Sequence, residues 1–395
     1  MSAEIQQLEA LYRETLLNDV IPFWEKHSID RQCGGYFTCL DRTGRVYDTD
    51  KFVWPQARQV WMFAKLYNCL EKRPGWLDIA RHGAEFLERN GRSDSGDWYF
   101  SLTREGRPLV QPYNWFSDSF AAIAFAQYHL AAGDPGARQI AVQTFENMLG
   151  RLSNPKGIYN KQVPGTRPLR SMAFPMILIN VCRELEGVAD QSLLDRTIDA
   201  AVGEIMTLHL DKDRGITFDN VGPDGTRVDC FEGRTIIPGH GIEAMWFVMD
   251  AVRRRGDRRT IETAAQTVLN LLDFGWDELF GGLYYFRDVS DKPPQQLEWD
   301  QKLWWVHLET LVALLMAWSL TGWKQCRAWF EKVHDYTWRH FPDPQYGEWL
   351  GYLDRRGEVL IACKGGKWKG CFHLPRALWL CSQELAALAA QEASR

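Results

Sequence analysis

Two hydrophobic periodicities alternate along the chain. In GIEAMWFVMDAVRR, which starts at Gly241, the apolar residues Ile242, Met245, Trp246, Met249 and Val252 fall three or four apart. That stripe belongs to a helix with one face in a core. The same spacing recurs near 55–72, 117–132, 170–187, 303–321 and 374–392, and a second helical stretch precedes the next hairpin, near 76–90, 135–150, 190–208, 259–274 and 324–340. A further helix opens the chain near 4–20. Between these stretches the period drops to two around a glycine beside aromatics, at Gly35, Gly96, Gly157 (the weakest), Gly215, Gly282 and Gly347. Successive glycines lie 61, 61, 58, 67 and 65 residues apart. Arg-Thr-Gly at 42–44, Arg-Glu-Gly at 104–106, Pro-Asp-Gly at 223–225 and Arg-Arg-Gly at 355–357 then supply hairpin turns.

Six hairpin–helix–helix units therefore follow one another without a linker or a low-complexity break. The pattern predicts an all-α fold, an (α/α)6 barrel of twelve helices, with short β-hairpins rimming one end and residues 1–395 forming one domain. Closure buries the ends that an open repeat array must cap. An open α-solenoid is the alternative, but its connections are usually short turns and not hairpins of this length.

Composition narrows the function. Lys and Arg total 46 against 51 Asp and Glu, a formal net charge of −5, which argues against a nucleic-acid binder. The longest apolar run, Leu311–Trp318, is far short of a membrane span. No apolar signal core stands at the N-terminus, and nine cysteines occur without CxxC pairs. Reduced thiols in a cytoplasmic protein are expected. The chain carries 18 Trp, 20 Phe and 13 Tyr, enough either for large core side chains or for an aromatic-walled sugar cavity.

Counting from the repeat glycines brings polar residues into register. His240, His307 and His373 stand 25, 25 and 26 residues after Gly215, Gly282 and Gly347, with Arg58 at 23, Glu309 at 27 and Arg376 at 29. All fall near the start of the helix after a hairpin, facing the predicted mouth. A lone histidine at a helix start is usually structural, but three in register favour a shared site. Glu243, three residues after His240, shares its helical face without an evident third metal ligand, so no metal is expected. GGKWKG at 365–370 lacks phosphate-loop spacing.

The stretches GGYFTCLDRTGRVYDTDKFVWPQARQVW (34–61), CFEGRTIIPGHGIEAMW (230–246), QQLEWDQKLWWVHLE (295–309) and GGKWKGCFHLPRA (365–377) resemble the N-acylglucosamine 2-epimerase family, and the likeness runs through essentially the whole chain. The resemblance implies interconversion of N-acetyl-D-glucosamine and N-acetyl-D-mannosamine, the latter linked to sialic acid metabolism. It implies proton transfer by His240 and His373, with Arg58, Glu309 and Arg376 completing the essential set. Glu243, Trp304 and His307 are added as substrate-facing positions. Pro55 departs from the apolar residue usual in the family. The resemblance also implies a homodimer and ATP as an activator that is not consumed, for which Asn154, Lys156 and Lys161 in the loop SNPKGIYNK are candidates. Epimerases or isomerases of mannose or cellobiose type are the near alternatives. An (α/α)6 glycoside hydrolase would instead need paired carboxylates, for which Glu232, Glu298, Asp300 and Glu309 are available. A non-catalytic interaction protein would leave the registered histidines without a purpose.

Overall fold

Each repeat glycine turns the chain with a positive φ, from 54° at Gly157 to 87° at Gly96, a conformation that strains any side chain. At Gly282 an added Cβ would also meet the Tyr336 ring at 2.6 Å. The computed structural model describes residues 2–393 except 113, 114, 155, 158, 159, 161, 162 and 164. Its helices are α1 (Ser2–Thr15), α2 (Ile21–His27), α3 (Val53–Cys69), α4 (Pro74–Asn90), α5 (Phe116–Ala132), α6 (Pro135–Gly150), α7 (Ala173–Glu184), α8 (Gln191–Glu204), α9 (Phe231–Arg234), α10 (Pro238–Arg253), α11 (Arg258–Gly275), α12 (Trp304–Thr321), α13 (Lys324–His340) and α14 (His373–Ala393). A π-helical turn at Leu16–Val20 joins α1 to α2, and another at Ile205–His209 prolongs α8. The single turn α9 was not expected.

The helices after the hairpins form an inner ring. Helix α3 packs on α5, α5 on α7, α7 on α10, α10 on α12 and α12 on α14. Trp61 meets Phe372 at 5.2 Å between ring centroids, and Lys65 lies over Trp379, closing the ring from α14 back to α3. Inner α12 is buried on every side from Trp304 to Ala317, whereas outer α11 buries a single stripe that includes Ile261, Ala264, Ala265, Val268 and Leu272. Outer α4, α6, α8 and α13 pair likewise with the inner helices before them, and α1 with α14. This is the (α/α)6 barrel. Helix α7 starts at Ala173, not near 170, because Arg170–Ser171 pairs as a strand with Asn220–Val221. Pro55 occupies the first turn of α3, where its missing N–H costs nothing.

The hairpins form a collar at one end. Lys51–Phe52 pairs with Ser101–Leu102, Thr235–Ile236 with Arg287–Asp288, and Lys302–Leu303 with Tyr352–Leu353. Each pairing joins successive hairpins. The collar is then bolted by one device used three times. Asp30, Asp277 and Asp343 stand four or five residues before a repeat glycine. Each accepts from a fully buried lysine: Lys51 at 3.0 Å, Lys302 at 3.1 Å and Lys364 at 2.8 Å. Each also accepts from the turn arginine of the next hairpin, Arg104, Arg355 and Arg42 respectively. The Arg42–Asp343 pair runs from the first hairpin to the last, so it closes the ring. These bonds hold all three carboxyls well below the usual range, although burial opposes it.

Candidate active site

The first turns of the inner helices converge inside the collar on a cavity of about 620 Å³, a size suited to a small molecule. Trp54, Phe120, Phe372, Trp304, Trp305 and Tyr285 form much of its wall. Helices α3, α5, α7, α10 and α12 enter without a side-chain cap; of the outer helices, α4 and α13 also lack one, while α6, α8 and α11 are capped by Asp134, Asp190 and Asp257. The helix dipoles thus give the cavity a positive bias.

Two imidazoles face this space. His240, in the first turn of α10, has Nδ1 at 3.1 Å from Asp219 Oδ1. Asp219 Oδ2 accepts from the Ile237 N–H at 2.7 Å, which fixes the carboxylate. His373 opens α14, with Nδ1 at 2.7 Å from Glu309 Oε1. Trp305 touches both rings, its centroid 5.3 Å from His240 and 5.9 Å from His373. In each case the carboxylate claims Nδ1 and leaves Nε2 without a hydrogen-bond partner among the described residues. Burial would lower both pKa values. At His240 the Asp219 bond and charge outweigh it and raise the value. At His373 burial is reinforced by the charges of Arg58 and Arg376, which hold the ring well below the ordinary range.

The two arginines differ sharply. Arg376 donates from one terminal nitrogen to Glu243 Oε1 at 2.7 Å and Glu309 Oε1 at 2.6 Å. Glu243, Glu309 and His373 place potential ligand atoms within 4.8 Å of one another, and the cation among them is this guanidinium. Arg58 is stacked by Trp54, Phe120 and Phe372 at 4.3, 3.9 and 4.5 Å. Its Nε has no hydrogen-bond partner among the described residues, nor has the group an ion pair there. Burial and the neighbouring Arg376 press its proton affinity well down. A cavity-facing cation without a counter-ion suits an anionic ligand or intermediate.

The N-acylglucosamine 2-epimerase (GlcNAc 2-epimerase) family model matches residues 35–377. N-acylglucosamine 2-epimerase of Mus musculus is 40% identical over 385 residues, covering 95% of this chain and 91% of that protein. The Homo sapiens protein of the same name is 39% identical over 386 residues, covering 95% and 90%. The chain belongs to the N-acylglucosamine 2-epimerase family. Its fold matches the structure of cellobiose 2-epimerase from Bacillus thermoamylovorans with a TM-score of 0.83 at 20% identity, over 97% of this chain and 100% of that one. A reducing end xylose-releasing exo-oligoxylanase reaches 0.59 at 13% identity, covering 98% and 93%.

Within this family architecture, Arg58, His240, Glu243, Trp304, His373 and Arg376 all line the cavity. Two sequence candidates stand elsewhere. Glu309 is fully buried behind His373, accepting also from Trp246 Nε1 at 3.0 Å, and is not part of the cavity lining. His307 requires a correction. It is wholly buried, accepts the Leu283 N–H at 3.0 Å and bonds the Leu303 carbonyl at 2.7 Å, with burial lowering its pKa to about 3. It anchors a hairpin. Asn154 and Lys156 border a second cavity of about 880 Å³ beside the first; Lys161 lies outside the described residues. Sequence reasoning missed Asp219 and Trp305. Trp305 was signalled by its place in the Trp-Trp pair opening α12; Asp219 has no counterpart at the same offset in the other repeats.

Proposed function

We propose that the chain interconverts N-acetyl-D-glucosamine and N-acetyl-D-mannosamine by two-base proton transfer at C2. The observation that carries this reading is the pair of carboxylate-bound imidazoles that line one cavity and share contact with Trp305. The ring-opened sugar presents an aldehyde at C1. One neutral imidazole takes the C2 proton, and the C–H electrons form a C1–C2 double bond while O1 gains negative charge. The opposite imidazolium then protonates C2 on the other face, and the aldehyde re-forms.

The unequal environments of the pair favour a shared proton on His240 over His373. Proton transfer of this kind supplies about 10²–10⁴-fold, so the anion must be stabilised as well. Arg58 serves that role, as the arginine not already neutralised by carboxylates, with the helix dipoles behind it. Arg376 fixes Glu243 and Glu309. A hydrolase would need two free carboxylates flanking a bond, yet Glu309 is buried, Glu243 is bound to Arg376, Glu232 and Asp300 lie off the cavity lining, and Glu298 alone is left there without an ion pair among the described residues.

Proton NMR of purified protein supplied with N-acetylmannosamine tests the reading. N-acetylglucosamine should accumulate, and mannose and cellobiose should turn over far more slowly; preferential turnover of either would transfer the activity to that sugar. Within the same reading the chain is a cytoplasmic homodimer with ATP as a non-consumed activator bound at the loop of Asn154 and Lys156. Lys156→Ala should abolish stimulation by nucleotide while leaving the unstimulated rate intact. Sedimentation should return twice the chain mass.

A further inference from the structure

The two histidines differ in what lies behind them. His240 borders both cavities: it lines the 620 Å³ site and also the 880 Å³ space walled by α8, with Thr197 and Ala200, and by Ser171 and Asn220. Its side chain keeps 31% exposure, against 12% for His373. Behind His373 stand Glu309, fully buried, and Arg376, nearly so, with Trp304, Trp305 and Phe372 packed around the ring. A sugar seated between the imidazoles displaces solvent from the first cavity. It leaves His240 a second way out and His373 none.

We infer that the two bases of this site exchange protons with solvent unequally: His240 does so through the second cavity while substrate is bound, and His373 is sealed until product leaves. The inference rests on the two-base reading given above. A proton taken from C2 by His240 is replaced by one from solvent before it can return, so the recovered substrate acquires solvent isotope. A proton taken by His373 stays on its nitrogen, and reversal gives the substrate back unlabelled. Products of both directions carry solvent isotope, because each donating imidazolium is loaded in the open, substrate-free enzyme or through the second cavity.

The test is epimerisation in D₂O without nucleotide, started from each epimer in turn and sampled in the initial-rate period. Deuterium at C2 is read separately in product and in recovered substrate. The expected result is deuterium in both products, with deuterium entering recovered substrate from one epimer only. Equal entry from both epimers, or entry from neither, overturns the inference while leaving the two-base reading intact. Products without deuterium overturn the two-base reading itself. Ala200→Trp, on the wall of the second cavity and away from the reacting groups, should retain epimerisation and lose the substrate exchange. An Ala200→Trp enzyme that exchanges like the parent refutes the route. Because the comparison of the two epimers in the unaltered protein stands by itself, poor folding of the variant does not weaken the test.

Discussion

Asp219→Asn isolates the contribution of one hydrogen bond to the chemistry. Asp219 bonds the Ile237 N–H with Oδ2 and His240 Nδ1 with Oδ1. An asparagine there has one oxygen and one amide nitrogen, and the backbone N–H accepts only the oxygen as a partner. The amide NH₂ is then turned toward His240 Nδ1, which must accept, so the imidazole proton moves to Nε2. The nitrogen facing the sugar thereby loses the lone pair that takes a proton, and the neutral ring becomes a poor acid. Loss of a proton-transferring group corresponds to about 10²–10⁴ in kcat, or about 2.7–5.5 kcal/mol of barrier. Losing one charge-assisted bond alone would cost about 1.5–3 kcal/mol of stability, so the variant should still fold. NMR assays in both directions should show kcat reduced with KM little changed. Residual activity should have its acid limb at lower pH, because the Asp219 charge that raises the His240 pKa is gone. Turnover close to the parent with an unmoved pH profile would refute the assigned role of Asp219.

Other consequences separate chemistry from architecture. Arg58→Met should remove a buried cation without a counter-ion, leaving Tm unchanged or raised, while kcat/KM falls about 10²–10³-fold; calorimetry and initial rates check both. His307→Ala should lower stability by about 2–4 kcal/mol in urea titration, yet keep kcat per folded molecule. The His307 pKa is lowered on folding to about 3, so its contribution is whole above the unfolded value and fades as pH falls below about 6.5. The His307→Ala variant should lack that component. The collar aspartates likewise have lowered pKa values, so the stability they confer is present above about pH 4 and lost in more acid solution. Lys302→Met should destabilise by about 2–4 kcal/mol, somewhat below the usual loss for a broken buried pair, since Arg355 remains on Asp277.

Much of the architecture was legible because each repeat must reverse direction at a glycine and then bury a helix, and both demands leave marks at fixed intervals. The turn arginines were visible too, at 42, 104 and 355, but only as parts of turn signals. Their bonds to Asp343, Asp30 and Asp277 span neighbouring repeats, and no local pattern records such a contact. His307 shows the limit of counting from the glycine. It is the fourth residue of α12, while His240 is third in α10 and His373 first in α14. Each residue turns a helix by about 100°, so a nearly shared offset leaves it pointing into the hairpin and not into the cavity. Asp219 was hidden because its role depends on where the fourth hairpin folds back, not on any spacing.

The central claim is that His240 and His373 move the C2 proton together. It is tested most directly by converting N-acetylmannosamine in D₂O with the parent enzyme, His240→Asn and His373→Asn, reading C2 of the glucosamine product by NMR. The parent should place one solvent deuterium at C2 of the product, and neither variant should invert the carbon. Product that keeps its original C2 hydrogen, or substantial inversion by both variants, would contradict the account.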